Sequence, residues 1–413
     1  MIFDEDSGYF DPEDFYKDEL LSWRSYWDFE ANPYQNLSSL LKRIILLPKS
    51  QTFLPLVCTY LMQPTRPARC LPILFSHGAA GSGKTTLAQI GARLRGRKTV
   101  LTVNDTFAAI RNELEFQGYY ARSHKEYRKE GAMLCYDNVS IKALKAEPRI
   151  YQMLLVGYNI RSSQMQIATK EYTNEKFETF CPKIISSIDP LHTHPVYTEL
   201  QRRLWTIPHK RIEDFTPSDL AEAGTSLEEF YETAVDIESV SWKGIDSVFY
   251  EFWTLEKVKE YVALRSWLST TKAKKSLGIA DKIPSDKWAI SIDPICTGIC
   301  IGTWRNALEA VNHLSAYYDF LKDLKDQDLG LALSYIKEYM SREIDPLRRA
   351  NLALEEAGKP SKYELSLDPL KLRNYLKSLY DNGHLTEQPN NASICEWMDY
   401  LGWKLTPKGW AIK

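Results

Sequence analysis

The sequence lacks any long apolar run, and no stretch approaches the length that an α-helix needs to cross a bilayer. Its amino end lacks the pattern of a secretory signal. An excess of one charge is missing as well, because 52 basic residues face 54 acidic ones and leave a net charge of −2. These absences favour a cytoplasmic chain without membrane contact. The balanced charge argues against a protein that coats nucleic acid with a generally basic surface, but it does not exclude a local basic face.

Cysteine is scarce, and its seven copies are scattered along 413 residues. An odd count without regular spacing is typical of buried thiols in a reducing compartment, not of a disulfide framework. Cys296 and Cys300 form the one close pair, and no CxxC motif or histidine stands nearby, which disfavours a zinc site. The apolar and charged fractions, 44% and 26%, are typical of a globular protein, and the length allows two to four structural units.

The most specific motif is Gly78–Thr85, which fits the pattern G-x-x-x-x-G-K-[ST] in full. A short apolar run, Leu71–Phe75, precedes it, and a stretch with helical spacing, Leu87–Leu94, follows it. In this strand–loop–helix setting, successive backbone N–H groups can surround a phosphate at the helix N-terminus. The residues that we assign to nucleotide binding are Gly78, Gly81, Ser82, Gly83, Lys84, Thr85 and Thr86.

Two side chains of this loop have defined roles in nucleotide binding, so ATP and Mg²⁺ are the expected cofactors. The Lys84 ammonium would reach the β- and γ-phosphates, and the Thr85 hydroxyl would take one Mg²⁺ position. A glycine-rich turn that matches the motif by chance is the competing interpretation. The elements on both sides of the loop disfavour it.

A second pattern lies at Ala132–Asn138, where an apolar run leads into an aspartate, as in a Walker B strand. Asp137 would hold Mg²⁺ through water, which predicts a metal site made by Thr85 and Asp137. Asn138 stands where many such ATPases have a glutamate that orients the attacking water. An amide can hydrogen-bond water but cannot act as its base, so slow hydrolysis is expected.

These motifs and two further stretches resemble AAA+-like helicase-related ATPases of phages, plasmids and other mobile elements, a family often found beside or fused to primases. The first further stretch, Met153–Arg161, is a helix that runs into a glycine and a basic turn. The second begins at Phe177–Ile188 and continues in Arg202–Arg211. The likeness covers residues 50–215 and is weaker in the C-terminal half.

The resemblance also implies roles that the two motifs alone do not assign. The strand entered through Lys183 corresponds to the family's sensor-1 region, in which Ser186 is the matching residue. The basic stretch that follows corresponds to the arginine-finger segment, with the finger at Arg203 and Arg202 as the alternative. A cluster of surface charge beside a strand is the competing interpretation. The implied catalytic set is therefore Lys84, Asp137, Asn138, Ser186 and Arg203.

The resemblance predicts an ATP-driven, ring-forming helicase or translocase-like ATPase that acts on DNA in mobile-element replication. The implied partners are single-stranded or forked DNA and further copies of the chain, with a hexamer as one option. The alternative is a nucleotide-gated loader, defence ATPase or regulatory switch that hydrolyses slowly and signals by assembly, which Asn138 favours. A small-molecule phosphotransferase is a third hypothesis, less favoured because a long helical lid and a winged-helix-like tail have no role there.

The expected fold is an α/β P-loop NTPase core with a helical N-terminal segment, a helical lid and a C-terminal winged-helix-like domain. Spacing of apolar residues predicts helices over Leu20–Leu47, Thr52–Met62, 215–265 and 304–357, and Gly358–Ser361 is the clearest linker. The expected divisions are 1–50 (acidic tail and N-terminal helices), 51–215 (P-loop ATPase core), 216–357 (helical lid region) and 362–413 (winged-helix-like domain).

Three basic segments could contact nucleic acid, and each has a second interpretation. Residues 119–130 mix basic residues with tyrosine and form either a solvated loop or helix face or a contact with a nucleic-acid strand. Residues 268–287 are expected to be a flexible basic loop, either a solvated linker or a DNA contact. The tail at 362–413 could meet phosphates or serve only for protein contacts. Its candidate cations are Lys371, Arg373, Lys377, Lys404 and Lys408.

Overall fold

The fold comes from a computed structural model. The structure describes residues 21–95, 100–102, 104–114, 133–168, 174–189, 191–192, 197–363, 365–381, 385, 389–407 and 409–412. These residues form two compact units, one that extends to His192 and includes Tyr197–Tyr317, and another from Tyr318 onward. The acidic tail and the basic segment at 119–130 lie outside the described residues.

The strands of the first unit are short. They are β1 (Leu21–Ser22), β2 (Ile73–Gly78), β3 (Leu134–Tyr136), β4 (Gln164–Ala168), β5 (Asn174–Glu178), β6 (Lys183–Ser187), β7 (Leu204–His209) and β8 (Val240–Ser241).

The helices of the first unit, in chain order, are α1 (Pro33–Ile44), α2 (Ser50–Leu61), α3 (Lys84–Arg93), α4 (Ile141–Ala146), α5 (Pro148–Val156), α6 (Thr198–Gln201), α7 (Pro217–Ala223), α8 (Leu227–Thr233), α9 (Asp246–Phe252), α10 (Leu255–Leu268), α11 (Thr271–Leu277), α12 (Ile279–Lys282) and α13 (Trp288–Ile301). Residues 107–114 are also helical. The long helix α14 (Ala307–Glu356) begins in this unit.

The centre of the first unit is a four-stranded parallel sheet with the order β3-β6-β2-β7. Its strands are almost wholly buried, as expected for a parallel sheet that is covered on both faces. Leu101 continues the sheet beyond β3, because it forms a parallel bridge with Tyr136. An α/β core with many helices, the coarse form of the expected fold, is therefore confirmed.

The register brings the carboxyl ends of the four strands to one edge of the sheet. Along β2 and β6, the paired residues run from Ile73 opposite Lys183 to His77 opposite Ser187. Along β2 and β7, they run from Ile73 opposite Leu204 to Gly78 opposite His209. Ligand sites of open α/β sheets lie outside this edge, in the crevice where the strand order reverses. The loop after β2 is at that place, because the chain moves to one side of β2 for β3 and β6 and to the other side for β7.

The N-terminal helical segment differs from its prediction in its first part. Leu21–Ser22 is a strand that pairs in parallel with β8, and a 3₁₀ turn at Trp23–Tyr26 follows it. α1 then begins after Asn32, whose side chain accepts a hydrogen bond from the Gln35 N–H at 2.9 Å. The reciprocal bond from the Asn32 N–H to the Gln35 side chain completes a capping box, which explains why the helix starts there.

The flexible basic loop expected at 268–287 is wrong, because this segment folds as helices α11 and α12. Thr270 caps α11 by accepting a hydrogen bond from the Ala273 N–H at 3.1 Å, and Gly278 ends it at a φ of 63°. Ala273 and Leu277 are buried. Two local caps and an apolar face thus outweigh the lysine-rich composition.

The second unit contains the rest of α14, β9 (Ser366–Leu367), α15 (Pro369–Asp381), α16 (Asn391–Tyr400), β10 (Trp403–Thr406) and β11 (Gly409–Ile412). Its strands form an antiparallel sheet with the order β10-β11-β9. Helices α15 and α16 precede the hairpin of β10 and β11, and β9 adds a strand to the hairpin. One core joins α14 to this module through buried residues that include Ile336, Leu376 and Trp403.

The predicted linker at Gly358–Ser361 does end α14, and Gly358 has the left-handed φ of 70° that is common after a helix. The chain then returns to the helix, because the Asn351 side chain accepts from the N–H of Tyr363 and donates to its carbonyl, at 2.9 and 2.7 Å. Among the described residues, no helix combines the length and apolar character that crossing a membrane requires.

Candidate nucleotide-binding site

The backbone conformation of the loop between β2 and α3 explains why glycine occupies three of its positions. Gly81 and Gly83 have φ values of 77° and 83°, in the left-handed region that side chains disfavour. Gly78 lies so close to β7 that a Cβ there would collide with the carbonyl oxygen of His209. The three glycines of the motif are therefore required by turn geometry and by close packing.

Lys84, the first residue of α3, extends back over this loop. Its ammonium donates to the Ala79 carbonyl oxygen and lies 3.4 Å from the Ser82 hydroxyl, with only 6% of the residue exposed. Burial lowers the pKa of Lys84 from its ordinary value, and the nearby Asp137 carboxylate opposes that shift. A buried ammonium is suited to an anionic ligand in the loop.

Thr85, Asp137 and Ser186 meet at the carboxyl edge of the sheet. The Thr85 hydroxyl donates to Asp137 Oδ2 at 2.8 Å, and the Ser186 hydroxyl donates to Asp137 Oδ1. Alternation along the strands explains the meeting, because Cys135 and Ile184 lie against Gly91 of α3, and residues two further along face the same side. The register of the sheet then places Asp137 and Ser186 beside the start of α3.

Asn138 is held against the same carboxylate. Its side-chain amide donates to Asp137 Oδ2 at 3.1 Å, and its backbone N–H donates to the Ser186 hydroxyl at 3.1 Å. Its φ of 55° is left-handed, a conformation that asparagine tolerates better than most residues. The side chain is exposed, so it could also bind a water molecule. Three donors thus orient Asp137.

The residues present fit Mg²⁺ and a nucleotide. Carboxylate and hydroxyl oxygens are the hard ligands that Mg²⁺ prefers, and Asp137 and Thr85 supply one of each at 2.8 Å from one another. The N–H groups of a loop that enters a helix N-terminus suit phosphate oxygens. Thr86, the third residue of α3, follows Thr85 in the chain and is half-buried.

A cavity of about 140 Å³ lies on the Gly83 side of the loop. Its walls come from Ile45–Leu47, between α1 and α2, and from Ala223–Thr225, between α7 and α8. Ile45 connects the cavity to the loop, because a Cβ on Gly83 would lie 3.2 Å from the Ile45 side chain. Sequence motifs did not predict this cavity, since its apolar and polar lining residues come from distant segments and form no motif.

Arg203 lies at the opposite edge of the sheet from the loop. Its carbonyl accepts from the Ile73 N–H at 2.8 Å, where β2 and β7 begin. Six residues of β7 therefore separate it from the carboxyl edge of the sheet, about 20 Å at the usual rise of a strand. The guanidinium lies over the Tyr158 ring and bonds to Glu199. Arg202 is more exposed and also bonds to Glu199. Neither arginine contacts the loop of its own chain.

Two residues at the end of β7 contact the loop and were missed by the sequence motifs. The buried His209 ring donates from Nδ1 to the Ser82 carbonyl at 3.2 Å, and burial lowers its pKa to about 3, so the ring is neutral. Arg211 Nε donates to the Ala80 carbonyl at 3.0 Å. A strand lies between Arg203 and Arg211 in the sequence, so the two arginines lie at opposite ends of the sheet. That spacing was the signal that could have shown which of them contacts the loop.

The structure brings together Gly78–Thr86, Asp137, Asn138 and Ser186, and it leaves Arg203 apart. No protein-family model matches the chain, and a search of curated proteins found no match either. The chemistry of the site therefore has to be inferred from its geometry.

Proposed function

We propose that this protein binds Mg·ATP at Gly78–Thr86 and hydrolyses it. The observation that carries the proposal is the 2.8 Å hydrogen bond between the Thr85 hydroxyl and Asp137, residues 52 positions apart. Many turns contain glycines, but few place a hydroxyl at the start of a helix against a carboxylate at the end of a buried strand. That pair is the one with which P-loop ATPases hold their metal.

Each residue of the site has a part in such a reaction. Lys84 and the loop N–H groups would bind the phosphates, and Thr85 and Asp137 would hold Mg²⁺, which neutralises charge on the transferred phosphoryl group. Ser186 orients Asp137, and the Asn138 amide could position a water. Because no carboxylate stands at 138, rate acceleration would depend on positioning and on charge stabilisation.

The cavity beside Gly83 supports a nucleotide over a simple phosphate. Its apolar wall at Ile45–Leu47 suits the face of a base, and Glu229 and Thr233 add polar groups. A base there would leave its phosphates to extend along the loop toward Lys84. The base of the nucleotide would then lie on the Gly83 side of the loop, and the terminal phosphate would lie farthest from the cavity.

Lys84→Ala tests the proposal, because it removes the buried ammonium without disturbing the sheet. We expect the affinity for a non-hydrolysable ATP analogue with Mg²⁺ to fall by about 10–100-fold, the usual loss for a charged hydrogen bond. Titration calorimetry measures it, with Lys142→Ala, an exposed lysine of α4, as the matched control. A folded Lys84→Ala protein with unchanged affinity would contradict nucleotide binding at this loop.

We further propose that the ATPase is a ring-forming, helicase or translocase-like enzyme that acts on single-stranded or forked DNA. The resemblance supports this function, and so do the cations of α15. Arg373 and Lys377 are exposed and four residues apart, so they share one face of the helix. Phosphates of a nucleic-acid backbone are the partner that such a pair fits.

Replacing Arg373 and Lys377 by alanine tests the DNA contact. Truncation at 362 would also expose the apolar side of α14, so point variants are preferable. We expect weaker DNA binding and a salt dependence reduced by about 0.7–0.9 log units per lost phosphate contact. Fluorescence anisotropy at several salt concentrations measures the slope, and Lys337→Ala, at an exposed lysine of α14, is the control. If the wild type shows no salt-sensitive DNA binding, the DNA function is wrong.

A nucleotide-gated switch, loader or defence ATPase is the second candidate function. Asn138 favours it, because its amide is engaged with Asp137 and cannot take a proton from water. Such a protein would bind ATP, hydrolyse it slowly and respond by assembly. Sedimentation with and without a non-hydrolysable ATP analogue distinguishes the two functions when it is combined with the turnover rate: assembly without appreciable turnover, even with DNA present, favours the switch.

A further inference from the structure

The segment after β7 carries two neighbouring cations with different partners. Lys210 forms an ion pair with Asp219 of α7 at 2.8 Å. That carboxylate, buried at the start of α7, also accepts from the hydroxyl and the N–H of Thr216. Lys210 thus fastens the chain to α7. Arg211 has no such carboxylate among the described residues, and its Nε donates to the Ala80 carbonyl of the loop.

Arg211 and Lys84 approach consecutive carbonyl groups of the same loop. The Lys84 ammonium bonds to Ala79, and the Arg211 guanidinium bonds to Ala80 at 3.0 Å. Two cations that repel each other across one loop are stabilised when an anion lies between them.

The direction of the phosphates follows from the cavity. A base in the cavity would lie on the Gly83 side, where Ile45 contacts the loop. Ala79 and Ala80 are at the other end of the loop, next to β2 and β7. The phosphate nearest to Arg211 would therefore be the terminal one.

We propose that Arg211 binds the terminal phosphate of ATP in its own chain and makes the site distinguish ATP from ADP. This inference rests on the proposed ATP binding. Its Nε bonds to Ala80, which leaves the terminal nitrogens of the guanidinium, with four N–H donors, for phosphate oxygens. A planar guanidinium can hold two of these oxygens at once, as a lysine cannot. ADP has no phosphate at this place, so only ATP gains these bonds.

This role differs from that of Arg203. Arg211 lies beside its own loop, so its effect on binding should appear in dilute protein and should not depend on assembly. Arg203 lies at the far edge and could act only on a neighbour. Each site would then have one arginine from its own chain and one from the next.

The test is the affinity of the full chain for ADP and for a non-hydrolysable ATP analogue, each with Mg²⁺, measured by titration calorimetry. For Arg211→Ala we expect the affinity for the ATP analogue to fall by about 10–100-fold and that for ADP to change by less than about twofold. Arg211→Lys should recover part of the loss. Arg161→Ala removes an exposed arginine from a turn near the amino edge of the sheet and should change neither affinity.

The outcomes separate this inference from the proposed function. Equal losses for ADP and the ATP analogue would mean that Arg211 only supports the loop through Ala80, and they would overturn the inference. No loss for either nucleotide would overturn it as well. A wild-type chain that binds neither nucleotide would overturn the proposed function, and this inference with it. Retained ADP affinity in the variants shows that their sites are folded.

Discussion

Arg203→Ala is expected to preserve ATP binding and to abolish the turnover that depends on assembly. An arginine supplied by a neighbouring subunit is worth about 10³–10⁵ in rate. Arg203 is about 20 Å from its own loop at the usual rise of a strand, so its loss should leave binding within the chain intact. Steady-state hydrolysis against protein concentration measures the effect, and Arg202→Ala shows which of the two arginines is the finger.

Mixing Arg203→Ala with Lys84→Ala protein gives the sharpest form of this experiment. Each variant damages a different half of a shared site, so some intact sites should form at mixed interfaces. Recovered activity supports a composite site. An inactive mixture, together with a wild-type rate per chain that is independent of concentration, would mean that each chain works alone. Arg203 would then be a surface charge that is held by Glu199.

Asp293→Ala is expected to lower the free energy of unfolding by about 3–5 kcal/mol, the usual loss when one partner of a buried ion pair is removed. The fully buried carboxylate of α13 accepts from Arg265 Nε at 2.8 Å and from the Tyr261 hydroxyl at 2.7 Å. It also accepts from the N–H groups of Arg69 and Cys70, at 2.9 and 2.8 Å. Alanine would leave all these donors without their acceptor.

Burial raises the pKa of the Asp293 carboxyl, and Arg265 and the other donors counteract it. The network fastens α10 and α13 to the connector that enters β2, so the variant should also loosen the sheet that carries the site. Denaturant unfolding followed by tryptophan fluorescence measures the loss. Asp293→Asn, which keeps one acceptor oxygen, should lose less, and Asp281→Ala, at an exposed aspartate of α12, is the control. A loss below about 1 kcal/mol, as for a surface pair, would contradict this view.

The strand, loop and helix around Gly78–Thr85 were predictable because the information is local. A left-handed φ at Gly81 and Gly83 requires glycine wherever the rest of the chain lies. The positions of Asp137 and Ser186 were nearly as accessible, since each ends a short buried run whose alternation decides which face it presents. The helix caps at Thr270 and Gly278 are local signals too, and they predict a helix within 268–287. The lysine-rich composition of that segment favours a loop instead and led to the wrong prediction.

The sequence by itself determined the glycine-rich loop, the α/β core and the absence of a carboxylate at position 138, because motif spacing, apolar runs and residue identity are properties of neighbouring positions. Only the tertiary structure decided which arginine meets the loop, since β7 places Arg203 and Arg211 at opposite edges of the sheet. It alone also joined Ile45 to Ala223 around a cavity and Asp293 to Arg69 in a buried network. Contacts between distant segments depend on strand order and helix packing, and no local pattern encodes those.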